Sequence, residues 1–320
     1  MPAAKGMEAA GTKAAGMKAN QQHTETEQVS LPARSEGLLA LKNMDSITPE
    51  STVPIALKNM ASFAMKSTEP ITLKSMDSIT LEEMDGIKLM NRVDTKFVTD
   101  ASLLEEILRR ATKDYRVLEI DGSRICKYDT LYYDTPQLEM YTAHHNRRLN
   151  RFKVRTRTYL SSGESFLEVK HKNNRGRTKK KRIHIEREHF NDFSSDATAC
   201  NFLKAKSPYS ADQLNASVST SFSRITLVNR AKTERLTIDS GLQFRNMRTG
   251  AEASLGSAVI IELKQDGLYH SPMKGILLDL RVKPLRISKY CVGTVLTDPH
   301  ARRGRFLIKL RTIEKLTHKS

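Results

Sequence analysis

Residues 151–159 read RFKVRTRTY, and a β-strand turns successive side chains to opposite faces. Arg151, Lys153, Arg155 and Arg157 therefore share one face, while Phe152, Val154, Thr156 and Thr158 share the other. Four cations in a row repel one another, and an exposed strand more readily mixes signs across its polar side. For this segment alone, a solvated basic edge strand is the ordinary alternative. The pattern recurs. In 166–172, Glu168, Lys170 and Lys172 oppose Leu167 and Val169; in 178–186, Lys180, Arg182 and Glu186 oppose Lys181, Ile183 and Ile185. Arg235, Thr237 and Asp239 oppose Leu236 and Ile238, Glu262 and Lys264 oppose Val259, Ile261 and Leu263, and Arg92, Asp94 and Lys96 are in phase.

Apolar faces must be buried, and helices between the strands are available to cover them. If these strands form one antiparallel sheet that closes on itself, the result is an α+β chain, a β-barrel with flanking helices whose charged faces line a passage. Like charges about 4 Å apart repel by several kcal/mol at an effective dielectric near 20, so water and counter-ions must fill that passage. Its lining is then a site for a polyanion. The sparser acids, Glu168 and Glu262, suit Mg²⁺ or Mn²⁺, which prefer carboxylate oxygen and bridge to phosphate. Each glutamate can instead pair with a neighbouring lysine.

The net charge of +17 is spread unevenly over the 320 residues. Residues 1–86 hold 8 Lys+Arg against 11 Asp+Glu, which leaves 45 against 25 in residues 87–320. Such a field calls for nucleic acid, an anionic membrane surface or a highly charged phosphate compound. Nucleic acid is disfavoured, because there is no Trp and Phe152 lies on the apolar face rather than among the cations. No run nears 18 apolar residues and the N-terminus has no apolar h-region, so the sequence predicts a cytoplasmic chain without a transmembrane segment. Cys126, Cys200 and Cys291 lie far apart with no CxxC spacing and read as small buried hydrophobes.

Few large apolar groups occur in residues 1–40, which predicts disorder there. A 16-residue repeat follows: LKNMDSIT at 41–48, LKNMASF at 57–63 and LKSMDSIT at 73–80. Its period is short for a solenoid and Pro54 and Pro70 interrupt it, so 41–86 reads as a linker or weak docking element ahead of a domain at 87–320. Within that domain, residues 100–110 predict a helix capped by Asp100 or Ser102. Ser271-Pro272 opens a second helix that stops by Pro284, and 303–317 predicts a third.

Seven segments in order, NRVDTKF (91–97), YDTLYYDTP (128–136), HHNRRLNRFKVRTRTY (144–159), FLEVKHKNNRG (166–176), ERLTID (234–239), VIIELK (259–264) and RISKY (286–290), resemble a known domain. It is the vacuolar transporter chaperone (VTC) type polyphosphate polymerase domain in its prokaryotic form, one of the triphosphate tunnel metalloenzymes. The resemblance implies an eight-stranded antiparallel tunnel barrel. It also implies transfer of the ATP γ-phosphoryl group to a growing inorganic polyphosphate chain, with ADP released and Mn²⁺ or Mg²⁺ as cofactor. Lys96, Arg155, Arg157, Lys170, Lys264 and Lys289 are similar in position to the family's catalytic tunnel cations. Arg92, His145, Lys153, Lys180, Arg182, Arg224, Arg235 and Ser288 are similar to substrate contacts, Ser288 and Lys289 falling where a helix N-terminus meets phosphate. Glu262 matches the metal-ligating glutamate, and Glu168 lies where a second acidic group is found. His145 is equally readable as a structural histidine. One departure is Asn91, where an acidic residue usually stands beside the first arginine.

Relatives of the same superfamily hydrolyse triphosphates and resemble an ExExK opening on the first strand. The corresponding NRVDTKF has no paired glutamates, which favours the polymerase over a triphosphatase. A polyphosphate-binding scaffold without catalysis is a third reading. Eukaryotic members sit in membrane complexes, which implies a separate membrane protein partner at the inner face of a membrane, with the repeats of 41–86 as its dock.

Overall fold

The computed structural model describes residues 70–317, apart from 88, 90, 91 and 268. The tail expected at 1–40, the first two repeat copies and Asn91 lie outside the described residues. In chain order the elements are α1 (Ile71–Ser75), β1 (Ser78–Ile79), α2 (Leu81–Asp85), β2 (Arg92–Asp100), α3 (Leu104–Ala111), β3 (Tyr115–Leu118), β4 (Cys126–Asp134) and α4 (Glu139–His145). There follow β5 (Arg151–Tyr159), β6 (Ser165–Lys172), β7 (Thr178–Ile185), α5 (Ala197–Lys206), β8 (Asn215–Asn229), β9 (Glu234–Asn246), β10 (Glu252–Ser254) and β11 (Ala258–Asp266). Three helices, α6 (Pro272–Asp279), α7 (Lys289–Thr297) and α8 (Gly304–Thr317), complete the chain.

The predicted helix starts hold. The Asp100 carboxylate accepts from the Ser102 N–H at 2.9 Å and caps a 3-10 turn at Ala101–Leu103 that leads into α3, and the Ser271 hydroxyl accepts from the Lys274 N–H at 3.1 Å with Pro272 opening α6. All the alternating segments become strands of one 11-stranded sheet, whose antiparallel main path runs through eight strands, β2-β11-β9-β8-β4-β5-β6-β7, with β1, β3 and β10 attached beside it. No ladder joins β2 to β7 among the described residues, so hydrogen bonding leaves a half-barrel rather than a closed ring. The sheet nevertheless curls strongly. Lys96 on β2 lies five or six steps along that order from Lys153 on β5 and Lys170 on β6, yet its charge lowers the pKa of both.

Helices cover the outer face. Leu227, Leu236, Ile238 and Ile261 pack with Ile107 and Leu108 of α3 and Met273 and Leu277 of α6. On the inner face, at one end of the lumen, Phe244 and Ile260 pack with Val292 and Val295 of α7 and Phe306 and Ile313 of α8, Ile260 being in phase with Glu262 and Lys264. The approach of α7 is so close that a Cβ at Gly293 would stand 2.6 Å from the Phe244 ring. Leu131, Val154 and Leu167 form a third cluster with Leu203 of α5.

The domain boundary expected at residue 87 needs correction. The third repeat copy is part of the core: Leu73, Met76 and Ile79 are buried, and β1 pairs in parallel with β3. Thr80 then caps α2 through the Glu83 N–H at 3.2 Å, while the Glu83 carboxylate accepts from the Thr80 N–H at 3.0 Å. The Leu-Met-Ile spacing marks an apolar face that packs on β3 and α3, so residues 70–86 belong to the folded unit and not to a linker.

Candidate functional site

Strand alternation places Lys153, Arg155 and Arg157 in line on the inner face of β5. Register sets Arg155 opposite Glu168, and Glu168 opposite Arg182; Lys153 faces Lys170, and Lys170 faces Lys180. Across the lumen, Lys96 of β2 stands opposite Glu262 of β11, beside Lys264.

Three carboxylates each bridge two cations. Glu168, 1% exposed, accepts from Arg155 Nε at 2.7 Å and from Lys180 Nζ at 2.8 Å. Asp239 accepts from Arg224 Nε at 2.6 Å and Nη2 at 2.9 Å, and from Lys289. Glu262 accepts from Lys96 and lies 3.1 Å from Lys264 Nζ. Burial opposes ionisation of all three, and the flanking cations overcome it. Arg155, Arg157 and Lys180 hold Glu168 below the usual carboxylate range, Arg224 and Lys289 do so for Asp239, and Lys264 and Lys96 hold Glu262 well below it.

Three cations near the centre of the lumen have no acidic partner among the described residues. Arg157 is 6% exposed, donates from Nε to Thr130 Oγ1 at 3.1 Å and lies 5.4 Å from the Tyr128 ring centroid. Lys153 donates to Ser288 Oγ at 2.8 Å, and Lys170 faces it across the β5–β6 pair. Desolvation and then like charges lower Lys153 and Lys170 to about 8. Lys264 and Lys289 are also lowered to about 8 by desolvation, despite Glu262 and Asp239. An aromatic floor supports the group: Tyr128 and Phe222 stack at 5.4 Å, Arg224 lies 4.9 Å from the first ring and Lys289 4.3 Å from the second.

The other expected positions are spread more widely. Arg182 donates to the Tyr159 hydroxyl at 3.3 Å and lies 4.4 Å from the Phe166 centroid. Arg235 aligns with Lys264 across the β9–β11 pair. Arg92 turns to Asp94 at 2.6 Å near the start of β2. Ser288 caps α7 by accepting from the Cys291 N–H at 3.4 Å, which brings Lys289 to the first turn beside the lumen. His145 is not in the lumen row. It sits on α4 with its ring 5.8 Å from that of Phe306 and its Nδ1 3.1 Å from Asn146 Oδ1, so packing between α4 and α8 accounts for it.

Asp239 is the residue that sequence reasoning missed as a site member. Its phase with Arg235 and Thr237 was the available signal, but its partners come from β8 and from the start of α7. Among the described residues no three His, Cys, Asp or Glu side chains cluster in a way that could hold a metal. Glu168 does not fit as a ligand, since its side chain is 1% exposed and sealed behind Arg155 and Lys180. Glu262, 20% exposed, fits as one carboxylate ligand to an ion completed by phosphate and water, the arrangement Mg²⁺ favours. All three cysteines are free, with Cys126 and Cys291 buried. No helix of the described residues is long and apolar enough to cross a membrane.

None of the curated proteins matches the sequence. Among solved structures, a candidate adenylate cyclase from Vibrio parahaemolyticus is 11% identical with a TM-score of 0.38, covering 64% of this chain and 99% of its own. A candidate adenylyl cyclase from Hippeastrum, described as having a dominant triphosphatase activity, is 12% identical with a TM-score of 0.41, covering 64% of this chain and 95% of its own. The family model of the VTC domain matches residues 91–297, which include β2 through α7 and every lumen cation and carboxylate described above. The chain belongs to the VTC domain family.

Proposed function

We propose that this protein is an ATP-dependent polyphosphate polymerase whose half-barrel lumen binds ATP and the growing chain together. The observation that carries this reading is the surplus of positive charge that faces the lumen. Three carboxylates are shared among six cations, and Arg157, which is buried, with Lys153, half-buried, and Lys170, exposed, face the same lumen with no acidic partner among the described residues. Buried cations are stable only when paired, so the lumen is completed by a ligand that brings several negative charges. Arginine forks recognise phosphate in two-point contacts, and Arg155, Arg157 and Arg224 are held rigidly by Glu168, Thr130 and Asp239.

In the proposed reaction a terminal phosphate oxygen of the polyphosphate chain attacks the γ-phosphorus of ATP. The bond from that phosphorus to the β-γ bridging oxygen breaks, and ADP leaves with the electron pair. Such a loose transition state needs positioning and charge neutralisation more than covalent help. Arg155 and Arg157 would hold the γ-phosphoryl oxygens, while Lys96, Lys264 and Lys289 neutralise charge developing on the leaving group. Mn²⁺ or Mg²⁺ held by Glu262 would supply further neutralisation between phosphate oxygens.

Incubating the full chain with ATP and Mn²⁺, then resolving products by gel and phosphorus NMR, tests the proposal. Long polyphosphate with stoichiometric ADP is expected. Free phosphate alone would indicate a triphosphatase, and tight polyphosphate binding without turnover a scaffold.

A further inference from the structure

The inner row of β5 runs past Lys153 to Arg151, which register sets opposite Lys172 of β6. Two helices, α4 and α8, meet at this end. Phe306 of α8 packs against His144 and His145 of α4, with rings 6.5 and 5.8 Å apart, and Lys309 lies 5.4 Å from the Phe306 centroid. Arg147 follows α4 directly, its N–H donating to the His144 carbonyl at 3.0 Å. Arg151 Nη1 donates to the Arg148 carbonyl at 2.6 Å, tying the turn between α4 and β5 to the same end. None of Arg147, Arg151, Lys172 and Lys309 forms an ion pair with a carboxylate among the described residues. The remaining side chain here, His144, adds no charge: burial and then Lys153, Arg151, Lys309 and Lys172 hold its pKa down to about 2. Its Nδ1 is buried without a partner. Cations elsewhere around the lumen are mostly paired, as Arg92 is with Asp94 and Lys264 with Glu262.

We propose that Arg147, Arg151, Lys172 and Lys309 form a second anion-binding site, at this mouth of the lumen, that holds the emerging end of a long polyphosphate chain. This rests on the polyphosphate reading given above. The row from Arg157 to Arg151 covers six residues and hence about 20 Å, so a short phosphate oligomer can fill the lumen centre without reaching α8. A long chain reaches both places. Concentrating unpaired cations at one mouth also gives the lumen a direction, with the chain leaving between α4 and α8.

The test compares tripolyphosphate with long-chain polyphosphate by calorimetric titration on the full protein and on the double variant Arg147→Asn/Lys309→Ala. Asn is chosen at 147 because the backbone there has φ +59°. Loss of two phosphate contacts should weaken long-chain binding about tenfold and reduce the slope of its salt dependence by about two, with tripolyphosphate affinity held within twofold. A charge-conserving Arg147→Lys/Lys309→Arg protein should bind both ligands like the parent, which separates lost charge from lost folding. Equal losses for both ligands, or no loss for either, would overturn the second site. So would a parent protein that binds the long chain no more tightly than tripolyphosphate. A parent that binds neither ligand removes the polyphosphate reading itself, and the second site with it.

Discussion

Glu168 and Glu262 show how two carboxylates facing one lumen take different parts. Glu168 is sealed, with Arg155 on one oxygen and Lys180 on the other, so its role is to keep those cations from repelling each other in the empty protein. Glu262 retains contact with the lumen, where the proposed function has it exchange a lysine for a metal ion. Glu168→Gln should therefore lower stability by roughly 3 kcal/mol, the low end for removing one partner of a buried ion pair, because both of its cations keep some contact with water. Metal affinity should be unchanged. Denaturant melts and Mn²⁺ titration read the two effects separately, and a variant that keeps its stability but loses Mn²⁺ binding would return Glu168 to the role of ligand. Glu262→Gln should do the reverse: it should fold normally and lose metal-dependent turnover. Arg157→Ala, which removes an unpaired buried cation, should raise stability slightly while weakening triphosphate binding at least tenfold.

Elements were legible in the sequence where one face is wet and the other dry. Strands β5, β6, β9 and β11 announced themselves by alternation, α6 by its cap, and the helical turn that leads into α3 by Asp100. Period alone could not find β4, because Thr130 through Asp134 are all buried and the alternation is erased. The same holds for α7, buried from Tyr290 through Val295, which has no polar stripe to give it away. The candidate site was half legible for a related reason. Same-strand cations are read directly from phase, but Asp239 gains its meaning from Arg224 and Lys289, which only the fold brings to it. The third repeat copy misled because its tandem relatives pointed to a tether, whereas its Leu73, Met76 and Ile79 fill the core. Leu73→Ala should cost about 3 kcal/mol, as a fully buried leucine does, while Ile71→Ala at an exposed position of the same helix should stay within about 0.5. Equal effects in thermal melts would mean that α1 does not contribute to stability through this contact.

At the scale of the whole molecule, the lumen stores charge that folding disfavours and ligand binding favours, and pH separates the two. Lys153, Lys170, Lys264 and Lys289 titrate near 8 in the folded protein, lowered by desolvation from an ordinary value of 10.5. Between pH 8 and 9 the unfolded chain therefore binds more protons than the folded one, and the stability of the ligand-free protein should rise with pH. Toward the top of that window the thiols of Cys126 and Cys291, and above it the tyrosines, titrate in the unfolded chain. Because burial raises those groups in the fold, they oppose the trend. Affinity for triphosphate should move the other way. It should be flat below pH 8 and then fall about tenfold per pH unit for each lysine that must recover its proton on binding. Melting temperature and tripolyphosphate titration over pH 7 to 9 should thus diverge, one curve rising as the other falls. Parallel curves would mean that the lysines facing the lumen are fully solvated and that binding draws its charge from elsewhere on the surface.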